Sequence, residues 1–178
     1  EKVYKVLVFM PMAISFVGAG IIWRFMYEYR GPQYDQIGLL NQILVWFGAE
    51  PQQFLLHAPW NTLFLIVVLI WVQTGFAMVI LSASIKGVPT ELLEAAELDG
   101  ANAWQRFISV TVPAIRPALI VVLTTISIAS LKVFDIVRTM TAGNYETSVL
   151  ANEMYTQFTK FEAGRSAALA VILFILVL

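Results

Sequence analysis

Apolar runs separated by polar, proline-rich punctuation set the pattern of the chain. Val6 to Trp23 carries no charge over about eighteen residues and is flanked by Lys2, Lys5 and Arg24. That length is near the lower limit for crossing a hydrocarbon core of about 30 Å. Gly18 and Gly20 would admit a close neighbour, and Pro11 is tolerable as a kink. Residues 28–59 are polar and broken by Gly31, Pro32, Gly48, Pro51 and Pro59, yet Ile37, Leu40, Ile43, Leu44 and Phe47 recur at helical spacing. Trp46 and Phe47 favour a membrane interface. This predicts either an amphipathic helix across one mouth of the protein or an ordinary packed loop helix.

Trp60 to Ile85 is the strongest run, about 26 residues without a charge. Gln73, Thr74 and Gly75 interrupt it near mid-depth, and a buried amide in lipid must find a partner. These residues should face other helices or an aqueous path. Ala114 to Phe134 is the next run, with Arg116 able to snorkel at its start. Its Thr124, Thr125, Ser127 and Ser130 hydroxyls serve either a polar path or their own helix backbone. Lys132 and Asp135, at i and i+3, are expected to form an ion pair near the far interface. Thr141 to Asn144 is a turn signal, and Glu146 to Phe161 mixes polar and aromatic residues at helical spacing. A last apolar run begins near Ser166. The expected spans are thus about 6–27, 60–85, 114–136 and 164–178, in an all-α membrane bundle with short interfacial helices. Because the first residue is not Met and the last run is still apolar at its end, a piece of a longer protein, truncated at both ends, is expected.

Glu91 to Pro113 carries most of the charge found between the second and third runs. Pro89-Thr90 reads as a stop followed by an N-cap, and Glu91 and Glu94 suit the positive end of a helix. Asp99-Gly100 breaks that helix, and a second reads from Ala101 to about Val110. Two short helices joined at a glycine make a compact knob.

Composition sharpens the picture. The chain is 59% hydrophobic and 13% charged, with mean hydropathy +0.77. Soluble domains carry about a quarter charged residues, so lipid is the expected solvent. A formal net charge of −1 gives no basic footprint for nucleic acid. The absence of cysteine excludes disulfides and thiol catalysis. One histidine, His57, makes a poor start for a metal or catalytic site. Cationic residues do not orient the chain: five (Lys2, Lys5, Lys86, Arg106, Arg116) fall on one side and six on the other.

Glu94-Ala95-Ala96, three residues, Gly100, nine residues and then Val110-Thr111-Val112-Pro113 resemble the cytoplasmic EAA loop of ABC importer permeases. Val110 and Val112 depart mildly from the usual Ile-x-Leu-Pro ending. The wider text LDGANAWQRFISVTVPAIRPAL is similar to the carbohydrate, maltose-type branch, and the resemblance runs from about Trp23 to Leu178. It implies a type I permease fold in a cell membrane, with the loop 86–113 facing the cytoplasm as a coupling helix seated on an ATP-binding subunit. Glu94, Ala95, Ala96, Asp99 and Gly100 would make that contact. The implied partners are two ATP-binding subunits, a second permease subunit and an extracytoplasmic solute-binding protein. ATP and Mg would sit on the partners, for this chain has no phosphate loop. The implied cargo is a sugar or oligosaccharide such as an α-glucoside. Gln, Ser, Thr and aromatic walls would suit it, with Gln73, Thr74, Ser127 and Ser130 as the path.

Other classes compete. An ion-gradient-driven carrier usually has ionisable groups near mid-membrane and discontinuous helices, and the middle of each predicted span lacks ionisable groups. A membrane enzyme needs convergent nucleophile, base or metal ligands. A DNA-reading helix-turn-helix at Glu91–Phe107 would present an acidic first helix to phosphate.

Overall fold

The computed structural model describes residues 8–31 and 33–178, and every described element is helical. Lys2, Lys5 and the first two residues of the first predicted run lie outside the described residues. That run is not one continuous helix. A 3-10 turn, Met10–Ala13, carries Pro11 at its start, and the chain re-enters helix only after Ser15. The Ser15 hydroxyl accepts a hydrogen bond from the Gly18 amide at 3.1 Å and caps α1, Phe16–Met26. Proline cannot continue an N–H ladder and serine competes with it, so this sequence divides where it does.

α2, Leu39–Trp46, forms within the stretch where a helix was expected, and α3, Trp60–Lys86, spans 27 residues or about 40 Å. α3 is the one described helix that is by itself long and apolar enough to cross a membrane. α4, Thr90–Leu98, and α5, Ala103–Ala114, form the knob. α5 runs to a 70° bend before α6, Arg116–Leu131, and the two together would also be long enough. Pro113 and Pro117 flank that bend, each removing a backbone donor, and a π-helical stretch, Phe107–Thr111, precedes it. Pro113 therefore lies inside a helix, where the sequence suggested the start of a new run. α7, Asp135–Met140, α8, Leu150–Thr159, and α9, Ala163–Val177, complete the chain.

The core sits where α1, α3 and α7 meet, built by Ala19, Leu65, Val68, Ile136, Val137 and Met140. Gly20 lets α7 approach α1 closely: a Cβ there would lie 3.0 Å from that of Thr139. Gly18 faces only its own turn. An aromatic cluster fastens the end of the bundle remote from the knob. Trp23 meets Trp71 at 5.6 Å, and Tyr27 meets Phe64 at 5.4 Å and Phe54 at 5.6 Å. Three buried amides organise the loops at that end. Asn41 donates to the Glu28 carbonyl (2.9 Å) and the Gln52 carbonyl (3.1 Å) and accepts from the Gln52 amide (2.8 Å). Asn61 donates to the Tyr145 carbonyl at 2.7 Å. Asn152 donates to the Ala142 carbonyl and the Ser148 hydroxyl.

Candidate functional site

The knob follows from local chemistry. Thr90 is the first residue of α4 and Pro89 its cap, so threonine does not supply the cap bond. At the other end Gly100 adopts φ +80°, its amide bonds the Glu97 carbonyl at 3.0 Å, and the Ala101 amide bonds the Ala96 carbonyl at 3.0 Å. This pair of bonds closes a helix around a left-handed residue, a position that favours glycine. Two residues later Asn102 caps α5. It accepts from the Gln105 amide (3.0 Å), while its own amide donates to the Gln105 side chain (2.8 Å). Arg106 then pairs with Glu97 across the turn. Exposed pairs contribute about 0–1 kcal/mol, so the backbone caps dominate the shape.

α4 buries none of its residues. Glu94, Ala95, Asp99 and Gly100 are exposed and Ala96 is half-buried. Leu98 is 89% exposed and Trp104 69%. Both are large apolar side chains left exposed on a capped element.

A second feature lies between α3 and α6. Gln73 and Ser130 share a cavity of about 330 Å³ with Ile66, Leu69, Ile70, Ile126 and Val133. Thr74 does not line it; its hydroxyl donates back to the Ile70 carbonyl at 2.6 Å. Ser127 does not line it either. Of the four candidate path residues, two come together. The cavity also lacks the aromatic rings expected of a sugar-binding wall.

Lys132 and Asp135 depart most from expectation. Helix α6 ends at Leu131 and α7 starts at Asp135, and both charged residues line a cavity of about 340 Å³ with Leu69 and Phe16. Leu69 lies nine residues into α3, about 14 Å from its end. The charges therefore sit at the break between α6 and α7. They form no ion pair among the described residues. Nothing in the spacing of an i, i+3 pair signals that the helix stops between them. Sequence reading also missed Asn41, Asn61 and Asn152; a lone asparagine in an apolar helical stretch such as LLNQIL was the available signal.

Comparison with known proteins places these features. The whole chain, residues 1–178, matches the family described as "Binding-protein-dependent transport system inner membrane component". It is 54% identical over 178 residues to the alpha-glucoside transport system permease protein AglF of Rhizobium meliloti (strain 1021), covering 99% of this chain and 53% of that one. It is 49% identical to the osmoprotective compounds uptake permease protein GgtC of Synechocystis sp. (strain ATCC 27184 / PCC 6803 / Kazusa), covering 99% of this chain and 64% of that one. The chain thus spans between half and two thirds of the length of these relatives. Among solved structures it resembles a bacterial ABC transporter involved in the import of the acidic polysaccharide alginate, with TM-score 0.83 and 26% identity over 99% of this chain and 62% of that one. The chain belongs to the family of binding-protein-dependent transport system inner membrane components.

Proposed function

We propose that this chain is part of the permease subunit of an ATP-driven importer, lining a path for a sugar or oligosaccharide across the cell's inner membrane. The observation that carries the reading is the knob: a doubly capped element with no buried residue in α4, held at the end of the 27-residue helix α3. Such an element seats on a partner and transmits its rigid-body motion into the bundle. The partner is an ATP-binding subunit, one of two, in a complex with a second permease subunit and an extracytoplasmic solute-binding protein. ATP and Mg belong to those partners. The family's description as binding-protein-dependent supports a binding-protein partner, and a neighbouring structure holds alginate pentasaccharide on its periplasmic protein. Glu94, Ala95, Ala96, Asp99 and Gly100 make the docking face, which lies in the cytoplasm. Gln73 and Ser130 supply hydrogen bonds along the path, and an α-glucoside is the preferred cargo, as the name of the 54% identical relative suggests.

Gly100→Pro and Glu94→Lys test the coupling role. Proline cannot adopt φ +80°, and lysine reverses the charge on the docking face. Both variants are expected to reach the membrane and to lose transport driven by ATP hydrolysis. Full coupled transport in both would overturn the assignment.

A further inference from the structure

At the end of the bundle remote from Gly100 lies a cavity of about 370 Å³, between the end of α1, the loop at Gln53–Leu56 and the segment from Arg138 to Tyr145. That volume falls within the range of small-molecule sites. Its walls have the composition that the Gln73–Ser130 cavity lacks. Tyr29 and Tyr145 offer rings, Gln53 and Asn144 offer amides, and Glu28 offers a carboxylate. Among the described residues, the side chains of Tyr29, Gln53, Asn144, Tyr145 and Glu28 make no hydrogen bond within the protein. The two cations are partly engaged. Arg138 lies 4.8 Å over the Tyr155 ring, and Arg24 donates to the Thr139 carbonyl. What remains free is a set of neutral donors and acceptors beside aromatic faces, together with the Glu28 carboxylate and most guanidinium N–H groups of Arg24 and Arg138, and such a polar set can hydrogen-bond a hydroxyl-rich ligand.

The wall is also fixed in advance. Ala142, Tyr145 and Glu146 take φ of +56°, +57° and +63°, conformations that persist only when their surroundings impose them. Asn61 holds the Tyr145 carbonyl, Asn152 the Ala142 carbonyl, and the Thr141 and Thr147 hydroxyls meet at 2.6 Å. A prearranged polar wall loses little freedom when a ligand arrives.

We propose that this cavity is a receiving subsite that takes a sugar unit before it reaches the Gln73–Ser130 cavity. The proposal rests on the sugar-path reading above. It is tested in the assembled transporter, with its binding protein and ATP-binding subunits, using a maltoside that carries a photoreactive diazirine. Labelling is expected at Tyr29, Gln53, Asn144 or Tyr145, and it is expected to survive Gln73→Leu/Ser130→Leu. The double variant Gln53→Leu/Asn144→Leu, which removes only side chains without internal partners, should lower the label about tenfold, as two lost hydrogen bonds would, while binding-protein-stimulated ATP hydrolysis shows that the complex is assembled. Label confined to α3 and α6 in a transporting complex would overturn the receiving subsite and leave the path reading intact. No label at either cavity and no maltoside uptake would overturn both.

Discussion

Phe161 occupies a position that calls for glycine. α8 ends as α4 does, with the Phe161 amide on the Phe158 carbonyl (3.1 Å) and the Glu162 amide on the Gln157 carbonyl (3.0 Å), and Phe161 at φ +61°. Its ring is 95% exposed and has little packing to lose. Removing the Cβ relieves about 1–2 kcal/mol of left-handed strain, offset by less than about 1 kcal/mol from the freer unfolded chain. Phe161→Gly should therefore raise the unfolding midpoint in detergent, and a lower midpoint would show that the ring has a partner that this reading omits. Asn41 presents the opposite case, fully buried with three hydrogen bonds to two separated segments. Asn41→Leu strands two carbonyls and an amide at about 1–3 kcal/mol each, so a loss of roughly 3 kcal/mol or more is expected in denaturant titration. A loss below about 1 kcal/mol would mean that water replaces the amide.

Among the elements, the knob was the most legible. Asp99-Gly100 marked the stop, whereas the Asn102–Gln105 capping box went unread and the second helix was expected from Ala101, two residues before its start at Ala103. Helices α2, α3 and α9 were likewise readable, because apolar spacing reports local periodicity. The breaks were not. Whether helix continues through Lys132 and Asp135 depends on what packs against them from α1 and α3, which a local pattern does not contain. The same holds for Pro113, read as a boundary but placed within α5 before the 70° bend. Asn102→Ala should cost α5 about 1 kcal/mol, and amide exchange over Ala103–Arg106 should then quicken roughly fivefold. Unchanged exchange would transfer the shape of the knob to the Glu97–Arg106 pair, in which case Glu97→Gln would accelerate it.

On the scale of the whole molecule, α1, α3, α6 with α7, and α9 carry the four apolar runs, and the knob and the polar cavity lie at opposite ends. The candidate path was half legible. Gln73 and Ser130 meet in one cavity, whereas Thr74 turns back on its own helix and Ser127 does not reach the cavity. Composition could name hydroxyls but not their facing. Replacing both Gln73 and Ser130 by leucine should depress sugar uptake about tenfold without abolishing binding-protein-stimulated ATP hydrolysis, since neither residue touches the knob; loss of hydrolysis as well would make them structural. The central claim is that the knob seats on an ATP-binding subunit. Cysteines placed at Ala95 or Ala96, in a functional complex with co-expressed ATP-binding subunits, test it most directly. The account predicts a crosslink whose yield changes with nucleotide. No crosslink at any position from Glu91 to Ala103 would contradict it.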